Sequence, residues 1–349
     1  MKMISKIIRR TKISEWAYIV ARVRVMKRKL IPEEEYPKLL NMDLNEIARY
    51  LEETEYKKEI DELAYRYSGV DLIDQALSLN LARTYRKLIR ISKGLPRDLI
   101  VLYLRKMDYW NIKNVIRGKM FGFSDEEIEG TLIPAGEFDE EFFKSLIARE
   151  SVEEIVEVFR GKPFYPILEK LLHGEKLSVV EDELDKFYYT SLARLSAESI
   201  DMKYFIDSIR MEIDITNVKT ILRLKKEGAT VEEIAGRIIP HGYQLSEDEA
   251  RRLAAMDIDE LVKSLEGYWF VDGVKEMIGT QPVSKIENML TKNWAEKMLR
   301  KSHNYPLSIL PVLAYMILKK VEVDNLRIIA RGKESSMSVD EIKEQLVMV

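Results

Sequence analysis

Trp110-Asn111-Ile112-Lys113-Asn114-Val115-Ile116-Arg117-Gly118-Lys119 is the stretch on which the architecture turns, because it returns twice. The second copy is Thr216-Asn217-Val218-Lys219-Thr220-Ile221-Leu222-Arg223-Leu224-Lys225, and the third is Asp324-Asn325-Leu326-Arg327-Ile328-Ile329-Ala330-Arg331-Gly332-Lys333. The copies lie about 107 residues apart, too long for two-helix solenoid repeats of roughly 34 to 47 residues. In each, apolar residues recur at helical spacing, as at Ile112, Val115, Ile116 and Met120, which predicts one buried helix face.

Working outward, the register holds. Ser124 to Ile128, Thr230 to Ile234 and Ser338 to Ile342 each place a hydroxyl three residues before a glutamate, the capping-box signature of a helix start. Leu132-Ile133-Pro134-Ala135-Gly136 and Ile238-Ile239-Pro240-His241-Gly242 end two of the units, while the third stops at Leu346-Val347-Met348-Val349. Upstream, Glu46, Glu154 and Glu260 stand in step, as do Asp74, Glu181 and Glu287. Gly122 and Gly228 are matched by Ser336. These correspondences predict an all-α protein of about six helices per unit. The expected units are residues 1–137, 138–243 and 244–349.

The polar signature residues are Asn111, Arg117 and Lys119; Asn217, Arg223 and Lys225; and Asn325, Arg331 and Lys333. A helix wheel sets Asn111 at the margin of the apolar face and Arg117 nearly opposite. The structural expectation is that Asn bonds a neighbouring backbone, Arg pairs with a carboxylate and Lys meets the free carbonyls at the helix end. The alternative lines one surface with three arginines.

The 349 residues are 46% hydrophobic and 33% charged, with a net charge of -3, so no global basic field points to nucleic acid. Residues 1–29 are the exception, with ten Lys or Arg and only Glu15 as an acid. This basic segment suggests either a solvated terminus or an acidic partner or membrane surface. There is no cysteine, which excludes disulfides and thiolate metal sites. Ala17 to Val20 is too short an apolar run for a signal peptide. Leu307 to Leu318 is too short to span a bilayer, which takes roughly 20 residues.

No catalytic, cofactor-binding or metal-binding residues emerge. His173, His241 and His303 are far apart in the sequence. Gly118-Lys119 and Gly332-Lys333 lack the earlier glycine of a phosphate loop, because Lys113 and Arg327 stand there. Asp71 with Asp74, and Glu181-Asp182-Glu183, read as helix faces before they read as cation ligands.

Taken together, Asp108 to Lys119, Leu132 to Gly136 and Val323 to Glu334 resemble the C subunit of archaeal and bacterial A/V-type ATP synthases, whose vacuolar ATPase equivalent is the d subunit. Tyr18, Ala21, Arg22 and Arg24 extend the likeness, which covers about residues 17 to 349. The resemblance implies a funnel-shaped body of three similar helical domains about a pseudo-threefold axis. It implies a non-catalytic place in the central rotor, on the cytoplasmic face of the membrane. The partners implied are the proteolipid ring and the central stalk, with no cofactor, small-molecule substrate or nucleic acid. Competing expectations are a helical scaffold of another complex and, more distantly, an enzyme using a carboxylate-bound divalent metal.

Overall fold

The structure is a computed structural model that describes residues 13–349. The described residues form helices and no strand. Seven helices are long: α1 (Ile13–Lys27), α2 (Gly69–Ile91), α3 (Gly94–Phe121), α4 (Leu177–Ala193), α5 (Ile200–Lys226), α6 (Val283–Asn304) and α7 (Leu310–Glu334). The three signature stretches fall in the C-terminal halves of α3, α5 and α7, which run 28, 27 and 25 residues.

The ends of these three helices are built alike. Phe123, Ala229 and Met337 donate their backbone N–H to the carbonyls of Gly118, Leu224 and Gly332. Gly122, Gly228 and Ser336 donate to Lys119, Lys225 and Lys333. This is the double closure of a Schellman end, which needs a residue at positive φ. Gly122 and Gly228 supply it at 73° and 76°, and Ser336 is held there at 55° despite its side chain. Immediately afterwards Ser124, Thr230 and Ser338 start short helices, each through a complete capping box worth about 1 kcal/mol.

By contact density the chain has two compact units, residues 78–192 and residues 13–77 with 193–349. In the first, α3 packs on the helices Asp125–Gly130, Glu140–Ile147 and Val152–Val158. Aromatic contacts add to its aliphatic core: Tyr109 meets Phe164 edge-on at 5.2 Å, and the half-buried Phe138 stacks on Phe142 at 4.2 Å. In the second, α6 packs on both α5 and α7, and α7 on α1. Val218, Ile221, Leu253, Phe270 and Leu290 belong to one aliphatic-aromatic core there. Trp16, Ile19, Val20, Val23 and Met26 form the buried stripe of α1, and the Trp16 indole donates to Asp201 at 3.0 Å. Of the basic terminal segment read from the sequence, residues 1–12, with five of its ten Lys or Arg, lie outside the described residues.

Candidate functional site

The recurring asparagine is a clasp. Asn111 Nδ2 donates to the Ile133 carbonyl at 2.9 Å, and its Oδ1 accepts from the Ile133 amide at 2.8 Å. Asn217 does the same with Ile239, at 2.8 Å for both bonds, and Asn325 with Val347 at 2.8 and 2.9 Å. A primary amide has one donor edge and one acceptor edge, so it pairs with a single extended residue as a neighbouring strand would. The wheel put Asn111 at the margin of the apolar face; in the structure Asn111 and Asn217 are 0% exposed and Asn325 2%. The paired bonds allow that burial by satisfying both polar edges.

A second clasp sits three residues upstream, and sequence reasoning missed it. Asp108 accepts from the amides of Glu137 and Phe138 at 2.8 and 3.2 Å. Asp214 accepts from Tyr243, Gln244 and Leu245, and from the Trp269 indole at 2.9 Å. Such close approach requires glycine: a Cβ on Gly136 would lie 2.2 Å from Asp108 Oδ1, and one on Gly242 2.3 Å from Asp214 Oδ1. Burial pushes the Asp108 carboxyl up to about 7 and the Asp214 carboxyl up to about 6, against the pull of the donated N–H groups. The signal was present as an acid three positions before each asparagine.

In the third copy the chain ends, and the same position turns to the beginning of the chain. Glu322 accepts from the amide of Ile31 at 2.5 Å, 291 residues away. Leu30 precedes Ile31 as Gly136 precedes Glu137, and the extra methylene of glutamate supplies the reach that a side chain there requires. Glu322 also accepts from Tyr56 Oη at 2.7 Å and Lys319 Nζ at 2.8 Å. Lys319 in turn donates to Tyr56 at 2.8 Å. The side chains of Lys319 and Glu322 are 3% and 4% exposed, so this is a buried ion pair with its remaining valences filled. Burial raises the Tyr56 phenol well above its ordinary range, and the Glu322 carboxylate raises it further.

The recurring arginines pair across copies. Arg117 on α3 meets Glu181 on α4 at 2.6 Å, and Arg223 on α5 meets Glu287 on α6 at 2.7 Å. Arg331 on α7 meets Asp74 on α2 at 2.6 Å. Numbered by the sequence repeat, the pairs run first copy with second, second with third and third with first; the Arg117 pair lies within the first compact unit and the other two within the second. One turn earlier, Lys113 binds Asp185 and Arg327 binds Asp74. Lys219 donates to the Thr291 hydroxyl at 2.6 Å, and burial lowers its pKa to about 8. The arginines are half exposed, so each pair is worth about 0–1 kcal/mol and serves alignment more than stability. The signature lysines turn away from their own helix ends. Lys119 pairs with Asp125 and Lys225 donates to the Met256 carbonyl. Lys333, in the last turn of α7, makes no such contact among the described residues.

Eight of the nine signature residues thus have side-chain partners of their own among the described residues. His241 accepts from Arg194 at 2.8 Å. Among the described residues no group of three His, Asp or Glu comes together to hold a metal ion. No described helix is long and apolar enough to cross a membrane. What the arrangement does chemically is hold backbone segments: paired amide and carboxylate clasps, with ion pairs between copies.

Comparison with known proteins gives one consistent match. The ATP synthase (C/AC39) subunit family matches residues 19–345. The C subunit of the A-type ATP synthase of Archaeoglobus fulgidus is 52% identical over 334 residues, covering 96% of each chain. That of Methanococcoides burtonii is 42% identical over 358 residues, covering 100% of both. That of Haloferax volcanii is 35% identical over 340 residues, covering 95% of this chain and 97% of its own.

Proposed function

The chain belongs to the ATP synthase (C/AC39) subunit family, and from that premise we propose that it is a non-catalytic rotor subunit. In this reading it seats the central stalk on the membrane proteolipid ring and passes torque between ATP chemistry and ion translocation. Its three homologous units, residues 1–137, 138–243 and 244–349, stand around a pseudo-threefold axis. It works on the cytoplasmic face of the membrane, as a peripheral protein.

The observation that carries the reading is the cyclic order of the contacts between copies. An adapter under torque needs walls that do not slide past one another. The Asn and Asp clasps fix each long helix to the extended segment beyond it, and close-packed interiors transmit strain with little compliance. The Arg117–Glu181, Arg223–Glu287 and Arg331–Asp74 pairs then tie each unit to the next.

The test is affinity purification of the tagged chain from gently solubilised membranes. Proteolipid and stalk subunits at fixed stoichiometry support the reading. Their absence, with another set of partners in their place, favours the general scaffold instead.

A further inference from the structure

We propose that the outward face of α1 docks directly on an anionic lipid bilayer. This goes beyond the proposed function, which needs no lipid contact by this chain. The helix is two-sided. Trp16, Ile19, Val20, Val23 and Met26 are buried, while Ala17, Tyr18, Ala21, Arg22, Arg24 and Val25 are exposed, as is Arg28 in the turn just beyond its end. Tyr18 and Val25 are 55% and 57% exposed. Positions 18, 21, 22, 25 and 28 share one face at helical spacing, which extends about 15 Å at 1.5 Å per residue.

The guanidinium groups of Arg22, Arg24 and Arg28 have no hydrogen bond or ion pair among the described residues, whereas nearby Lys29 is engaged by Glu55. The only acid in residues 1–29 is Glu15, against ten Lys or Arg; the remaining 320 residues carry 46 basic and 58 acidic side chains. Positive charge is thus segregated to this end of an acidic chain. Arginines interleaved with an exposed aromatic and an aliphatic match a diffuse anionic surface with an apolar layer beneath it. A protein partner calls instead for a shaped, desolvated centre.

The experiment is co-sedimentation of the purified full chain with vesicles of phosphatidylcholine, alone or mixed with phosphatidylglycerol, at low and high salt. Binding to the mixed vesicles that weakens with salt is expected. Each arginine near such a surface strengthens partition roughly fivefold, so the R22Q/R24Q/R28Q variant should bind on the order of 100-fold more weakly. Its unchanged melting curve would show that it folds. No salt-sensitive binding by the wild type, or equal binding by the variant, overturns the inference. So does a variant whose vesicle binding is unchanged but which no longer enters the assembled synthase, since that identifies an acidic protein surface as the occupant. A wild-type chain that binds vesicles yet copurifies with no rotor subunit removes the proposed function and leaves this inference standing.

Discussion

Replacing Asn217 with alanine removes both halves of one clasp. The Ile239 amide and carbonyl lose their partners at 2.8 Å, and Ile239 is only 4% exposed, so water does not replace them freely. Each stranded group costs about 1–3 kcal/mol. Alanine returns about 0.6 kcal/mol as the better helix former. The net loss is about 2–5 kcal/mol, which for a chain of this size lowers the melting temperature by about 3–7 °C. Asn325→Ala provides the internal comparison. Its partner Val347 is half-buried, so solvent takes up the freed groups more readily and the cost is about 1 kcal/mol. Urea unfolding followed by circular dichroism measures both. If Asn217→Ala falls within about 0.5 kcal/mol of the wild type, or costs no more than Asn325→Ala, the clasp argument is wrong.

Further outcomes follow from other features. Ser336→Gly relieves a side chain held at a φ of 55° and should stabilise by about 0.5–1 kcal/mol; a lower melting temperature would contradict this. Gly118→Ala puts a Cβ 2.4 Å from Ile128 Cγ1 and should cost about 1–3 kcal/mol, partly recovered by adding Ile128→Val. Asp108 and Asp214 have folded pKa values raised to about 7 and about 6 from 3.8, so the folded state holds these protons more tightly than the unfolded chain. Their contribution to stability is full below about pH 4 and is lost as pH rises through 6 to 7. His241, lowered by burial beside Arg194 and Arg210, works in the opposite direction. The urea midpoint of the wild type should therefore rise more between pH 8 and about pH 5 than that of Asp108→Asn, and equal slopes would refute the assignment.

The helices and their starts were legible because their determinants are local: Ser124 caps Glu127 three residues away, and apolar residues recur every turn. The clasps were hidden because Asn111 finds its partner 22 residues on, past a helix end and a second short helix. A helical wheel describes one helix against solvent and cannot supply an extended neighbour. The ion pairs were half legible. Both partners, Arg117, Arg223 and Arg331 with Asp74, Glu181 and Glu287, recur in register, but which copy meets which is a matter of topology. The exchange of aspartate for glutamate at 322 is readable only once Leu30 is seen in the place of a glycine.

The sequence separations of these contacts also set an order of assembly. The Asn111–Ile133 and Asp108–Glu137 bonds span 22 and 29 residues, and Arg117–Glu181 spans 64. Each can form while later parts of the chain are still being synthesised. Arg331–Asp74 and Glu322–Ile31 span 257 and 291 residues. They cannot form until α7 has been synthesised, and they carry the largest loop-closure cost in the set. Glu322 and Lys319 are hydrated in the unfolded chain, and the long separation of their partners makes their burial an expected late event of folding. Refolding of this protein should end in a slow phase reported by Tyr56, and nascent chains truncated before α7 should be the ones that chaperones retain.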